Sequence, residues 1–80
     1  MKELTEQTIT VKALRENCQL TQRQVANYLD VSVNTVSEWE RSRKMPSFVN
    51  AVKLSKIFEV SLETIAIAFG LVDSQSHDGN

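Results

Sequence analysis

The sequence predicts an all-α fold, a compact bundle of five short helices, and three observations carry that prediction. Apolar residues recur at steps of three and four through most of the chain. No stretch alternates with the period of two that a half-buried strand requires. Each periodic run follows a serine or threonine able to cap a helix. Eighty residues make one domain, and a domain of this size buries only roughly 60–65% of its unfolded surface, so its core is modest and a partner subunit would add to it.

The first helix is expected over about residues 9–17, after a polar segment 1–7 that is expected to be flexible, with Thr5 or Thr8 as its cap. Val11, Leu14 and Cys18 share one side at i, i+3 and i+7, which makes Cys18 a small apolar filler rather than a reactive thiol. Arg15 lies on the flank of that side and should seek an acid.

The second helix opens on the strongest local signal in the chain, Thr21 followed three residues later by Gln24, which together form a capping box. It runs to about Leu29, with Val25, Leu29, Ala26 and Tyr28 on its apolar side and Arg23 and Asn27 outside. The pattern breaks at Asp30 and resumes after a second cap, Ser32, with Val36 and Trp39 at helical spacing. A link this short forces the two helices to cross steeply. Glu40 stands at i+4 from Val36, near the buried stripe, whereas Asn34, Ser37, Glu38 and Arg41 fall opposite. A carboxylate leaning inward without a partner is costly, so Glu40 is expected to pair with Arg15. The alternative is that both side chains snorkel to solvent.

The run Arg41 to Pro46 is a basic turn that no helix can cross, because Pro46 lacks a backbone donor and biases Met45 to extended backbone. Ser47 then caps a fourth helix reaching about Glu59, whose apolar side is expected to hold Val49, Val52, Leu54, Ile57 and Phe58. Ser61 caps a fifth, residues 62–69, with Leu62, Ile65, Ala66 and Phe69 toward the core and Gly70 as its stop. Residues 73–80 are polar and expected to be a disordered tail, which leaves 8–72 as the folded domain.

The net charge is −1, yet between Val11 and Ile57 eight basic residues face four acids, and the compensating acids lie toward the ends. A basic middle still attracts phosphates, because screening at physiological salt hides charges beyond roughly 8 Å. One cysteine and one histidine, His77 in the tail, leave no internal disulfide, no metal-ligand cluster and no histidine-based triad. An enzyme, a bound metal and a cofactor are therefore not expected. With no secretory segment and no apolar run near the ~20 residues a membrane span needs, a cytoplasmic protein away from membranes is expected.

The order of these helices, with T-Q-R-Q-V-A opening the second, V-S-V-N-T-V-S-E-W-E forming the third, a basic turn closing on Pro46, and K-I-F-E-V-S-L-E-T-I further on, resembles the lambda-repressor and Cro helix-turn-helix family. The resemblance spans about residues 9–69, with the motif itself at 21–40. It implies a lambda-repressor-like domain that binds double-stranded DNA and regulates transcription, as a repressor. It also places the family's pairing of a first-helix arginine with a third-helix glutamate on Arg15 and Glu40. Where the family usually turns on glycine, this chain has Asp30, and a second frequent glycine is here Ser42.

A helix of this kind fits the major groove and reads base edges from its start and outer side. Ser32, Val33, Asn34, Ser37 and Glu38 occupy those positions. Asn34 could bond an adenine in bidentate fashion and Val33 could pack on a thymine methyl. Glu38 could accept from a cytosine amine or stand as a solvated charge. Gln22 resembles the family residue that bonds a phosphate, and Arg23, Arg41, Arg43 and Lys44 would track the backbone. One such motif gives limited affinity, so a homodimer on a two-fold site is expected, with Ile67, Ala68, Leu71 and Val72 as its patch. The competing reading is a protein-interaction module, such as an antitoxin-like or anti-repressor partner.

Overall fold

The computed structural model describes residues 9–72. Five helices follow in order: α1 Val11–Asn17, α2 Gln22–Leu29, α3 Val33–Glu40, α4 Phe48–Phe58 and α5 Leu62–Ala68. No strand occurs among the described residues. Each helix starts on a hydroxyl that accepts from the backbone N–H three residues on: Thr10 from Ala13, Thr21 from Gln24, Ser32 from Thr35, Ser47 from Asn50, and Ser61 from Thr64. In α2 the box is complete, since Gln24 Oε1 also accepts from the Thr21 N–H at 2.8 Å. The first cap is Thr10, whereas the expected Thr5 and Thr8 lie outside the described residues. Thr10 has extended backbone, which delays the helix to Val11.

All five helices end in the same hook. At Gln19, Asp30, Ser42, Glu59 and Gly70 the chain enters the left-handed region with φ of 60° to 74°. The next residue then donates its N–H back to the carbonyl five positions earlier: Leu20 to Arg15, Val31 to Ala26, Arg43 to Glu38, Val60 to Ser55, and Leu71 to Ala66. This is the Schellman closure, in which an apolar residue after the left-handed position usually folds onto the helix. Leu20, Val31 and Val60 do so and pack against the core. After α3 the same position is Arg43, which is exposed and so set beside the third helix with a fixed backbone.

The core consists of Val11 and Leu14 from α1, Val25, Ala26 and Leu29 from α2, Val36 and Trp39 from α3, Leu54 and Phe58 from α4, and Ile65 with Phe69 from α5. α2 packs chiefly on α3, and α4 on α5. Cys18 fills the edge of this core, its thiol donating to the Phe58 carbonyl at 3.5 Å.

Three expected apolar positions lie elsewhere. Val49 is exposed because α4 buries the stripe Ala51, Leu54 and Phe58, and a five-residue step from Val49 to Leu54 turns about 140° around a helix. Tyr28 is exposed on α2, on the flank of the side that buries Val25 and Leu29. Leu62 does share a side with Ile65 and Phe69, but it opens α5 one turn before the buried stripe starts and is 38% exposed.

Candidate nucleic-acid interface

α3 shows two different sides. Val36 and Trp39 are buried, and Val33 is half-buried against the core edge. On the other side Asn34 and Arg41 are exposed, with Ser37 and Glu38 half-exposed between them. Steps of three and four residues bring Asn34, Ser37, Glu38 and Arg41 into one row along the helix. The next turn adds Arg43 and Lys44, both exposed, so the acidic side chain in the row is followed by three cations.

Ser32 lies at the start of that row, but its hydroxyl is already engaged. It accepts from the Thr35 N–H at 3.0 Å and shares a hydrogen bond with the Thr35 hydroxyl at 2.9 Å. Two hydroxyls joined by one such bond retain a single free O–H between them, so the pair offers one donor at the helix start. Thr35 was not among the expected site residues. Its place three residues after a capping serine is the signal that would have indicated it.

The frame beneath this face is polar. Arg15 Nε donates to Glu40 Oε2 at 2.5 Å and Arg15 Nη2 to Glu40 Oε1 at 3.3 Å. The third guanidinium nitrogen, Nη1, donates to the Leu20 carbonyl at 2.9 Å. The two side chains are only 11% and 6% exposed. The hydrogen bond to Glu40 raises the Arg15 pKa above its already high ordinary value despite partial burial, so the guanidinium keeps its charge. Gln22, first residue of α2, is half-buried, and its amide Nε2 donates to Glu40 Oε1 at 3.0 Å. Its other amide hydrogen and its carbonyl oxygen have no partner among the described bonds. Arg23, beside it, is exposed.

The expected patch on α5 is divided. Leu71 and Val72 are exposed, but Ile67 and Ala68 are half-buried and Ala68 packs against the core. α5 is followed directly by the hook at Gly70, which turns Leu71 away from the line of the helix. Phe48 and Met45, not expected to take part, are among the exposed large apolar residues.

Two short helices in a tight left-handed link, flanked by three more and matched over residues 11–65 by the family described as Helix-turn-helix, decide the affiliation. The chain belongs to the lambda-repressor/Cro-like helix-turn-helix family. No curated protein and no solved structure matches it. As a member of this family the domain is a DNA-binding regulator of transcription, from a regulatory rather than an enzymatic family. Within the helix-turn-helix, α2 is the first helix and α3 the second. No described helix is long and apolar enough to cross a membrane.

Proposed function

We propose that this protein is a cytoplasmic repressor that binds duplex DNA as a homodimer, with α3 of each copy in the major groove. The observation that supports it best is the row Asn34, Ser37, Glu38, Arg41, exposed or half-exposed along α3 and continued by Arg43 and Lys44. Asn34 bonds the N6 and N7 atoms of an adenine, Glu38 accepts from a cytosine amine, and Ser37 bonds an edge between them. Val33 offers part of its side chain to a thymine methyl, and the Ser32 hydroxyl pair donates at the groove edge. Arg23, Arg41, Arg43 and Lys44 neutralise phosphates, and Gln22 adds a neutral phosphate contact from the start of α2. Repression follows from occupancy alone, since a domain seated on its operator blocks other proteins without any further contact.

The test is selection of preferred duplexes from a random pool at fixed salt, followed by affinity measurement across a salt series. The expected site is two-fold symmetric with half-sites about 34 Å apart, and affinity falls steeply as salt rises. Binding without sequence preference would remove the repressor reading. Absence of any salt-dependent DNA binding would leave the protein-interaction module as the better account.

A further inference from the structure

Asn34 is a short side chain on a fixed backbone. It is the second residue of α3, in a first turn closed by Ser32, whose hydroxyl accepts from the Thr35 N–H at 3.0 Å. That cap engages the Ser32 and Thr35 hydroxyls with each other, and it leaves the exposed Asn34 carboxamide with no hydrogen-bond partner among the described residues. With only two side-chain torsions on a helical Cα, the carboxamide has few places to move to. Its neighbours along the row, Ser37, Glu38 and Arg41, are polar or charged. Val33, the apolar neighbour in the chain, stands about 100° away around the helix and is half-buried.

We infer that this arrangement makes binding sensitive to methylation of the DNA, so that N6-methyladenine in the operator releases the domain; this rests on the adenine contact of Asn34 proposed above. In the bidentate contact the Asn34 Oδ1 accepts from an adenine N6–H and Nδ2 donates to N7. The adenine amino group is coplanar with the ring, so a methyl on it takes one of two positions. The position beside N1 has to keep its hydrogen, which pairs with the O4 of thymine. The methyl therefore stands on the N7 side, in the major groove. There it replaces the hydrogen that Oδ1 accepts, and it covers N7 from the Nδ2 donor. Both bonds are lost together, and a carboxamide brought out of water faces a methyl group. Asparagine at this place thus excludes the modified base by the same geometry that selects the plain one.

A good bidentate contact discriminates by roughly tenfold to a hundredfold, and that factor is the expected loss for each methylated half-site. The polar row around Asn34 offers the methyl no apolar surface in return. On a two-fold site the two contacted adenines lie on opposite strands. Duplex methylated on one strand only, as it stands just after replication, therefore carries one methyl per operator and binds with intermediate affinity. Methylation of both strands lowers the affinity further.

The experiment titrates the full chain and Asn34→Ala against synthetic duplexes of the sequence obtained by pool selection. The adenine to modify is the one whose preference Asn34→Ala erases. N6-methyladenine is placed there in neither, one or both half-sites and, as a control, at an adenine outside them. Far-ultraviolet circular dichroism checks that Asn34→Ala is folded. The natural chain is expected to lose roughly tenfold to a hundredfold with the first methyl, a similar factor with the second, and nothing with the control methyl. Asn34→Ala, weaker from the outset, is expected to bind all four duplexes alike. Equal affinity of the natural chain for methylated and unmethylated sites overturns the inference and leaves the adenine contact standing. A methyl penalty that persists in Asn34→Ala also overturns it, since the methyl would then act on the duplex and not through Asn34. If Asn34→Ala erases no adenine preference, the adenine contact itself fails and the inference falls with it.

Discussion

Gln22 Nε2 donates to Glu40 Oε1, the same oxygen that receives Arg15 Nη2, so the last residue of α3 is tied at once to the first residue of α2 and to the final turn of α1. Arg15 also closes the link between α1 and α2 through the Leu20 carbonyl. A carboxylate only 6% exposed depends on these donors, and removing one ionic partner strands the other. Arg15→Met is expected to cost about 3 kcal/mol, and Gln22→Leu, which removes a neutral donor, about 1 kcal/mol. Replacing both ions, Arg15→Met with Glu40→Leu, should recover part of the larger loss. Urea unfolding followed by the fluorescence of Trp39, buried one residue before Glu40, measures all three. A near-neutral Arg15→Met would show that the pair does not hold α1 to α3. The raised Arg15 pKa sets the sign with pH: the guanidinium's share of this stability is complete below its ordinary range and is lost only as pH rises through the raised value.

The helix hooks give a second prediction. Four of the five left-handed positions carry side chains, and for most residues that region costs roughly 1–2 kcal/mol, against roughly 0.5–1 kcal/mol of extra chain entropy for glycine. Glu59→Gly is therefore expected to stabilise by about 0.5–1 kcal/mol, raising the melting temperature by roughly 2–8 °C. Asp30→Gly should gain less, because aspartate tolerates the region better. Thermal melts of the two variants beside Glu59→Ala decide it, and an equal gain for Glu59→Ala would refute the conformational explanation.

What could be read from the sequence was what is local. The caps at Thr21, Ser32, Ser47 and Ser61 act within four residues, and each stands where the pattern puts it. The start of α1 was misplaced by the same logic, since three threonines precede Val11 and the phase of Val11 and Leu14 fixes a helix side without fixing its first residue. Arg15 and Glu40 stood out because each is a charge beside a buried stripe. The bond from Gln22 to Glu40 joins residues 18 apart and left no local trace. Phe48, Val49 and Leu62 were misread or passed over for another reason. Their periodicity is helical, but where a stripe leaves the core depends on how α4 and α5 pack.

Arg43 holds the position where three other helices tuck an apolar residue onto the core, yet as a charged residue it stays exposed there. With its backbone fixed beside α3, its charge would stay close to a duplex bound as proposed. Arg43→Ala and Lys44→Ala are each expected to weaken binding to every sequence and to reduce the slope of log affinity against log salt by about one unit. Gln22→Leu should weaken binding at unchanged slope, because the lost contact is neutral. Titrations at four or five salt concentrations separate the two classes, and an unchanged slope for Arg43→Ala would remove it from the interface.

Glu38 poses the sharpest question for the proposed reading face, since it is an acid between Asn34 and Arg41 that would have to enter a groove bounded by phosphates. If it accepts from a cytosine amine, Glu38→Ala abolishes preference at one base pair, a loss of about 1–3 kcal/mol of discrimination, while other positions keep theirs. If it faces water, its removal only relieves repulsion, and all sequences bind more tightly with preferences intact. Glu38 stands one turn from Asn34, about 6 Å along the helix, so Asn34→Ala should in parallel erase an adenine preference about two base pairs away or closer. Both are read from pool selection with each variant at the salt used for the natural chain. Tighter binding by Glu38→Ala with every base preference retained would make Glu38 a spectator and leave Asn34, Ser37 and the Ser32 hydroxyl pair to carry the specificity.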